Sequence, residues 1–159
     1  MTDESTEIRQ FISVLDCAVP LNSAIYISIP ITTGETFIHW YSTKGGNLSV
    51  ELYKDAHQKE VVVTNIKKSI LYIEKIRLNN PNRIVIEPTS LKVSDWSQDH
   101  YNNFWSEVIK KYVFKAYFSP GWNYSRGCCL EFLTAVEKGI AVTDLSGTAI
   151  SIQSAISLI

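Results

Sequence analysis

Neither sign of charge dominates the 159 residues: 15 lysines and arginines stand against 16 acids, for a formal net charge of -1. Without a basic excess the chain has no means of neutralising many phosphates at once, which argues against nucleic acid or anionic lipid as partners. A small phosphorylated ligand stays compatible with that balance. The opening MTDESTEIRQ lacks both the positive stretch and the apolar run of a secretory signal, so a cytoplasmic protein is expected. Cysteine is scarce: Cys17 and the adjacent Cys128 and Cys129 have no CxxC or Cys/His ligand spacing and read as reduced thiols. His39, His57 and His100 are scattered singly, so neither a metal nor another cofactor is expected. The tail AISIQSAISLI is too short and too rich in serine and glutamine to span a bilayer, and no internal repeat is present.

What is present is the balance of an ordinary globular domain, 45% hydrophobic and 19% charged, expected to fold as one unit over residues 1–159. Ile8, Phe11, Ile12 and Leu15 recur at helical spacing behind Asp3 and Ser5, either of which can cap, so a helix is expected within residues 1–20. AIYISIPI is a β-branched run closed by proline, apolar enough for a strand buried on both faces. TTGETFIHWYSTKGGNL, residues 32–48, shows no period and reads as a long loop. A helix is expected from about Lys59 to Leu78, with Val62, Ile66, Ile70 and Ile73 on its inner side. RIVIEP follows as a strand. In SDWSQDHYNNFWSEVIKKY the residues Tyr101, Phe104, Trp105, Val108 and Tyr112 share one helical face, with Asp95 or Ser97 as cap. VFKAYF and GIAVTD are further strands, with a helix between them and a short strand or helix after. This alternation predicts an α/β fold: a doubly wound, mainly parallel sheet of four or five strands with helices on both faces.

In such a sheet, ligands bind where the loops leave the carboxyl ends of the strands. Two unusual segments fall there, PITTGETF after the first strand and SPGWNYSRG after the third. The second feeds a helix, whose first turn has free N–H groups suited to a phosphate or carboxylate, with Ser119, Ser125 and the backbone at Gly127 as donors. The alternative is that Ser125 only caps the helix while Gly121 and Gly127 serve a tight turn. Glu131 lies off the apolar stripe of that helix, as a solvated glutamate would. Its helical neighbours, Gly127, Cys128, Thr134 and Ala135, are all small and leave room for a ligand beside the carboxylate.

IYISIPIT followed by GWNYSRGCCLEFLTAVEKGIAV resembles the nucleoside 2-deoxyribosyltransferase-like superfamily, which includes deoxynucleoside 5'-monophosphate N-glycosidases and small proteins with a GW-x-x-S-x-G-x-x-x-E signature. The similarity spans roughly residues 24–145. It implies a flavodoxin-like fold, a homodimer or larger assembly, and cleavage or transfer at the N-glycosidic bond of a nucleoside or nucleotide. By position, Glu131 resembles the nucleophilic carboxylate, Tyr26 the first-strand tyrosine beside it, and Ser125 a serine contacting a 5'-phosphate. Glu107 and Asp99 are the candidates for the acidic partner. Ile29-Pro30 replaces the relatives' Gly-Pro, and the aspartate that opens their third strand falls here near Phe114 or Lys115. In such chemistry the carboxylate stabilises or captures an oxocarbenium-like C1' while an acid protonates the departing base. Trp122, or Phe37 and Trp40, could stack on that base. The rival readings are a module that binds a nucleotide without cleaving it, and a thiol function for Cys128 and Cys129 at the helix N-terminus.

Overall fold

The computed structural model describes residues 3–158. The chain opens with α1 (Glu4–Asp16), where the Asp3 side chain accepts from the Ser5 hydroxyl at 2.6 Å rather than from a backbone N–H of the first turn. β1 (Ala24–Ser28) follows, and then α2 (Gly34–Thr43), α3 (Val50–His57) and α4 (Val63–Asn79), the last two joined by one π turn, Gln58–Val62. β2 (Val85–Ile86) precedes α5 (Gln98–Tyr112), β3 (Val113–Phe118), α6 (Arg126–Glu137), β4 (Ala141–Asp144) and α7 (Ile152–Leu158). The strands pair in parallel in the order β2-β1-β3-β4. This is a flavodoxin-like doubly wound sheet of four strands among the described residues.

β1 is central, with all five residues buried, and its alternation divides the interior. Ile25 and Ile27 face one way, onto Ile73 and Ile76 of α4. Tyr26 faces the other, into a larger core built from Phe104, Trp105 and Val108 of α5 and Phe132 of α6. Because parallel strands are covered on both sides, such a strand reads as a continuous apolar run. α5 is started by Ser97, not Asp95. The serine oxygen accepts from the His100 N–H while the His100 ring returns a bond to the Ser97 N–H, a reciprocal cap.

Two expectations are corrected. Residues 32–48 are not a loop: α2 occupies most of them, followed by a 3-10 turn at Gly45–Asn47. α2 is held by tertiary contact, since Trp40 is buried against Tyr53 and His57 and its indole N–H donates to Glu60 at 3.1 Å. The inner face of α4 also differs, because Ile70 is 49% exposed while Asn65, Ser69, Ile73 and Ile76 are buried. The closing segment is a helix, α7. No described helix is long and apolar enough to cross a membrane.

Candidate functional site

Tyr26 and Ser28 stand two apart on β1 and therefore point to the same side of the sheet. Above them passes α6, whose first turn is fixed by Ser125: its hydroxyl accepts from the Cys128 N–H at 3.4 Å, and its φ and ψ are extended, as an N-cap requires. That start carries Glu131 over the strand. The Tyr26 hydroxyl donates to Glu131 Oε1 at 2.8 Å, and the Ser28 hydroxyl donates to Oε2 at 2.5 Å. Each carboxylate oxygen thus has its own hydroxyl donor, which fixes the plane of the group.

Burial pushes the Glu131 carboxyl up from its ordinary value to about 7, against the opposing pull of the two hydroxyls. The Tyr26 hydroxyl is raised well above the usual tyrosine value, first by burial and then by the charge of Glu131. It is therefore a permanent donor near neutral pH. Cys128, buried in the same turn, has its thiol raised by burial and by Glu131, so it stays protonated and is no nucleophile. Cys129 is raised by burial as well. These shifts lend the thiol reading no support.

Glu131 lines a cavity of about 470 Å³ at the carboxyl edge of the sheet. Its walls are the segment after β1 (Ile31, Thr32, Thr33), the turn after β2 (Pro88, Thr89) and the first turns of α5 and α6. Ser125, the N-cap of α6, and Gly127 in its first turn line it. Gly127 is not held to glycine by backbone geometry, and a Cβ there would make only ordinary contacts, the nearest Asn102 Oδ1 at 3.6 Å. What its missing side chain provides is space within the cavity.

Other expected residues do not line it. Trp122 is buried in the core, stacked on Phe132 with centroids 4.6 Å apart and edge-on to Phe118, so its faces are taken. Gly121 has φ of 79°, and a Cβ there would press into Glu35 at 2.9 Å, so the turn itself needs this glycine. Ser119 is buried, with its N–H donating to the Ser28 carbonyl at 3.1 Å and its hydroxyl without a partner. Phe37 and Trp40 belong to an aromatic cluster with Tyr53 and His57. Neither proposed acidic partner reaches the cavity. Glu107 is exposed on the outer face of α5 with Lys110 3.5 Å away, and Asp99 is exposed in the first turn of the same helix.

Several residues at the site carried no signal in the sequence. Ser28 is one small residue in an apolar strand. Trp105, assigned to the core by its helical spacing, also lines the cavity and lies beside Tyr26, ring centroids 5.9 Å apart. It is thus the tryptophan that a ligand can meet. Gln98 and Asn102, one turn apart on α5 and joined by a 3.2 Å bond, present amides beside Gly127. Lys92 and Arg126 add two cations to the lining, and Glu131 is the one carboxylate among the described residues there. A second acid, Glu87, is close enough for its charge to raise the Tyr26 hydroxyl, but its carboxylate is taken up by the Thr89 N–H and the Thr89 and Ser90 hydroxyls. The described residues contain no cluster of histidine, cysteine and acids able to hold a metal. No family model, no curated protein and no solved structure matches this chain.

Proposed function

We propose that the protein cleaves or transfers at the N-glycosidic bond of a nucleoside or nucleoside 5'-monophosphate, with Glu131 as nucleophile. The observation that carries this reading is the doubly held carboxylate: Tyr26 and Ser28 each bind one oxygen of Glu131 at the floor of a cavity large enough for a nucleotide. Holding both oxygens costs the carboxylate rotational freedom before a substrate arrives, which is the preorganisation that attack at a sugar carbon needs. Partial burial weakens its hydration and leaves it poised near neutrality.

In the reaction, a Glu131 oxygen bonds to C1' as the C–N bond breaks, and the bonding pair leaves on the base nitrogen. The base takes its proton from water entering through the open mouth of the cavity, since neither Glu107 nor Asp99 lies there. Water, or a second base, then displaces Glu131 from C1'. Trp105 supplies an apolar surface, while Ser125, Arg126 and the free amides at the start of α6 form the polar end, suited to an anionic substituent. A homodimer accords with the resemblance.

A second reading, a module that binds a nucleotide without cleaving it, is favoured by one observation: among the described residues Glu131 is the one acid in the lining. Incubating the purified protein with ribo- and deoxyribonucleosides and their 5'-monophosphates, followed by chromatography for free base, separates the two. Release of base from at least one supports the glycosidase. Binding of a nucleotide with no release from any supports the non-catalytic module.

A further inference from the structure

The chemistry at Glu131 makes no use of the buried amide of Asn65. Asn65, 6% exposed on the inner face of α4, donates from its Nδ2 to the carbonyls of both Ile31 and Thr33, each at 2.9 Å. The carbonyl between them, Thr32, is bound by the His57 Nε2 at 2.8 Å. Three consecutive carbonyls of one segment are thus held by two side chains of the α3–α4 helix. That helix departs from α geometry between the two residues, over the π turn Gln58–Val62, and Gln58 and Val62 line the cavity. Breaks of this kind recur at functional sites. At the far end of the segment the backbone passes so close to Pro30 that only glycine fits, since a Cβ on Gly34, whose φ is 85°, would meet Pro30 at 2.7 Å.

A connection between a strand and a helix needs no such attachment merely to turn. What distinguishes Ile31–Thr33 is that all three residues line the cavity, and that the Thr32 and Thr33 hydroxyls make no bond among the described residues. We propose that Asn65 is a positioning residue of this site: with His57 it fixes the Ile31–Thr33 wall so that the wall's free hydroxyls and backbone meet the substrate in one geometry. The proposal rests on the glycosidase reading for its substrate. Asn65 bonds to none of Tyr26, Ser28 and Glu131, so its contribution lies in binding and orientation and not in the charge of the nucleophile.

Asn65→Asp keeps the volume of the side chain and turns a donating amide into an oxygen facing two carbonyl oxygens. His57→Phe keeps a ring within the aromatic cluster and removes only the bond to Thr32. Base release from the four 2'-deoxynucleoside 5'-monophosphates is measured against substrate concentration and pH, together with amide hydrogen exchange. For Asn65→Asp, KM should rise about tenfold or more with kcat within about threefold, and the pH midpoint should not move. For His57→Phe the rise in KM should be smaller, about two- to fivefold. Exchange at the amides of residues 31–34 should quicken by about tenfold in Asn65→Asp. Folded variants with wild-type KM and wild-type exchange would overturn the proposal. So would a fall in kcat at constant KM with a displaced pH midpoint, because Asn65 would then be acting on Glu131. Should Asn65→Asp not fold, His57→Phe decides by the same criteria. If the wild-type protein releases no base, it is the glycosidase reading that has failed, and exchange at residues 31–34 still decides whether the clamp holds the wall.

Discussion

The two faces of β1 are equally buried and differently employed. Ile25 and Ile27, both fully buried, pack with the aliphatic side chains of Ile73 and Ile76 under α4. Tyr26 and Ser28, also fully buried, place two hydroxyls beneath α6, and both hydroxyls end on one carboxylate. A buried carboxylate is costly unless it is hydrogen-bonded. The polar face is therefore where stability has been conceded, and the concession lies at the floor of a cavity. One strand thus separates an apolar face from a face that carries hydroxyls to a carboxylate by the alternation of its side chains.

The comparison can be broken by substitution, and the largest effect should come from the carboxylate. Glu131→Gln keeps the shape and removes the charge, so base release should fall by roughly a thousandfold or more while nucleotide binding survives, as measured by turnover and titration calorimetry. On the apolar face, Ile27→Ala should cost about 2–4 kcal/mol in denaturant unfolding by leaving a void, with the pH midpoint of activity unmoved. A displaced midpoint would show that the two faces are not independent.

Smaller effects should follow the protons. The folded-state pKa of Glu131, about 7, lies above its unfolded value, so the native state retains a proton that the unfolded chain has released. The associated stability is fully present below the unfolded pKa and is lost as pH rises through 7. Wild-type protein should lose on the order of 1–3 kcal/mol between pH 5 and 8, a loss that Glu131→Gln should not show in chemical unfolding at each pH. Asp16, Glu60 and Asp144 have lowered values and act only toward acid pH, outside this window. Smallest should be the effect of removing a single donor. In Ser28→Ala and Tyr26→Phe the lost bond had favoured the charged form, so the midpoint of the pH–rate profile should move upward by about one unit or less.

Much of the fold was legible because parallel strands and α5 obey their periods: AIYIS and VFKAYF are apolar runs, and α5 carries a continuous stripe. α2 was not legible. Its sequence mixes threonine, glycine and aromatics, its N-terminus has no side-chain cap, and what secures it is the distant Glu60 and the aromatic cluster. The inner face of α4 was misread for a related reason. An apolar spacing picks out Ile66 and Ile70, whereas Asn65 is buried because its amide serves two backbone carbonyls. Spacing and resemblance single out Glu131 and Tyr26, which the fold brings into contact, but Ser28 and Trp105 give no sign, since a serine in a strand and a tryptophan in a helical stripe are ordinary. Trp122, Glu107 and Asp99 show the converse: residue types suited to the chemistry and set by the chain in the core or on the outer surface.

The central claim is that Glu131 forms the bond to the sugar, and its most direct test is capture of that bond. A nucleotide found to be a substrate would be synthesised with fluorine at C2', which slows both formation and breakdown of an oxocarbenium-like state, incubated with the protein, and the protein examined by intact mass and peptide mapping. The account predicts one added glycosyl mass, located on Glu131 and absent from Glu131→Gln. Base release from the parent nucleotide, with the added mass on another residue, would contradict it.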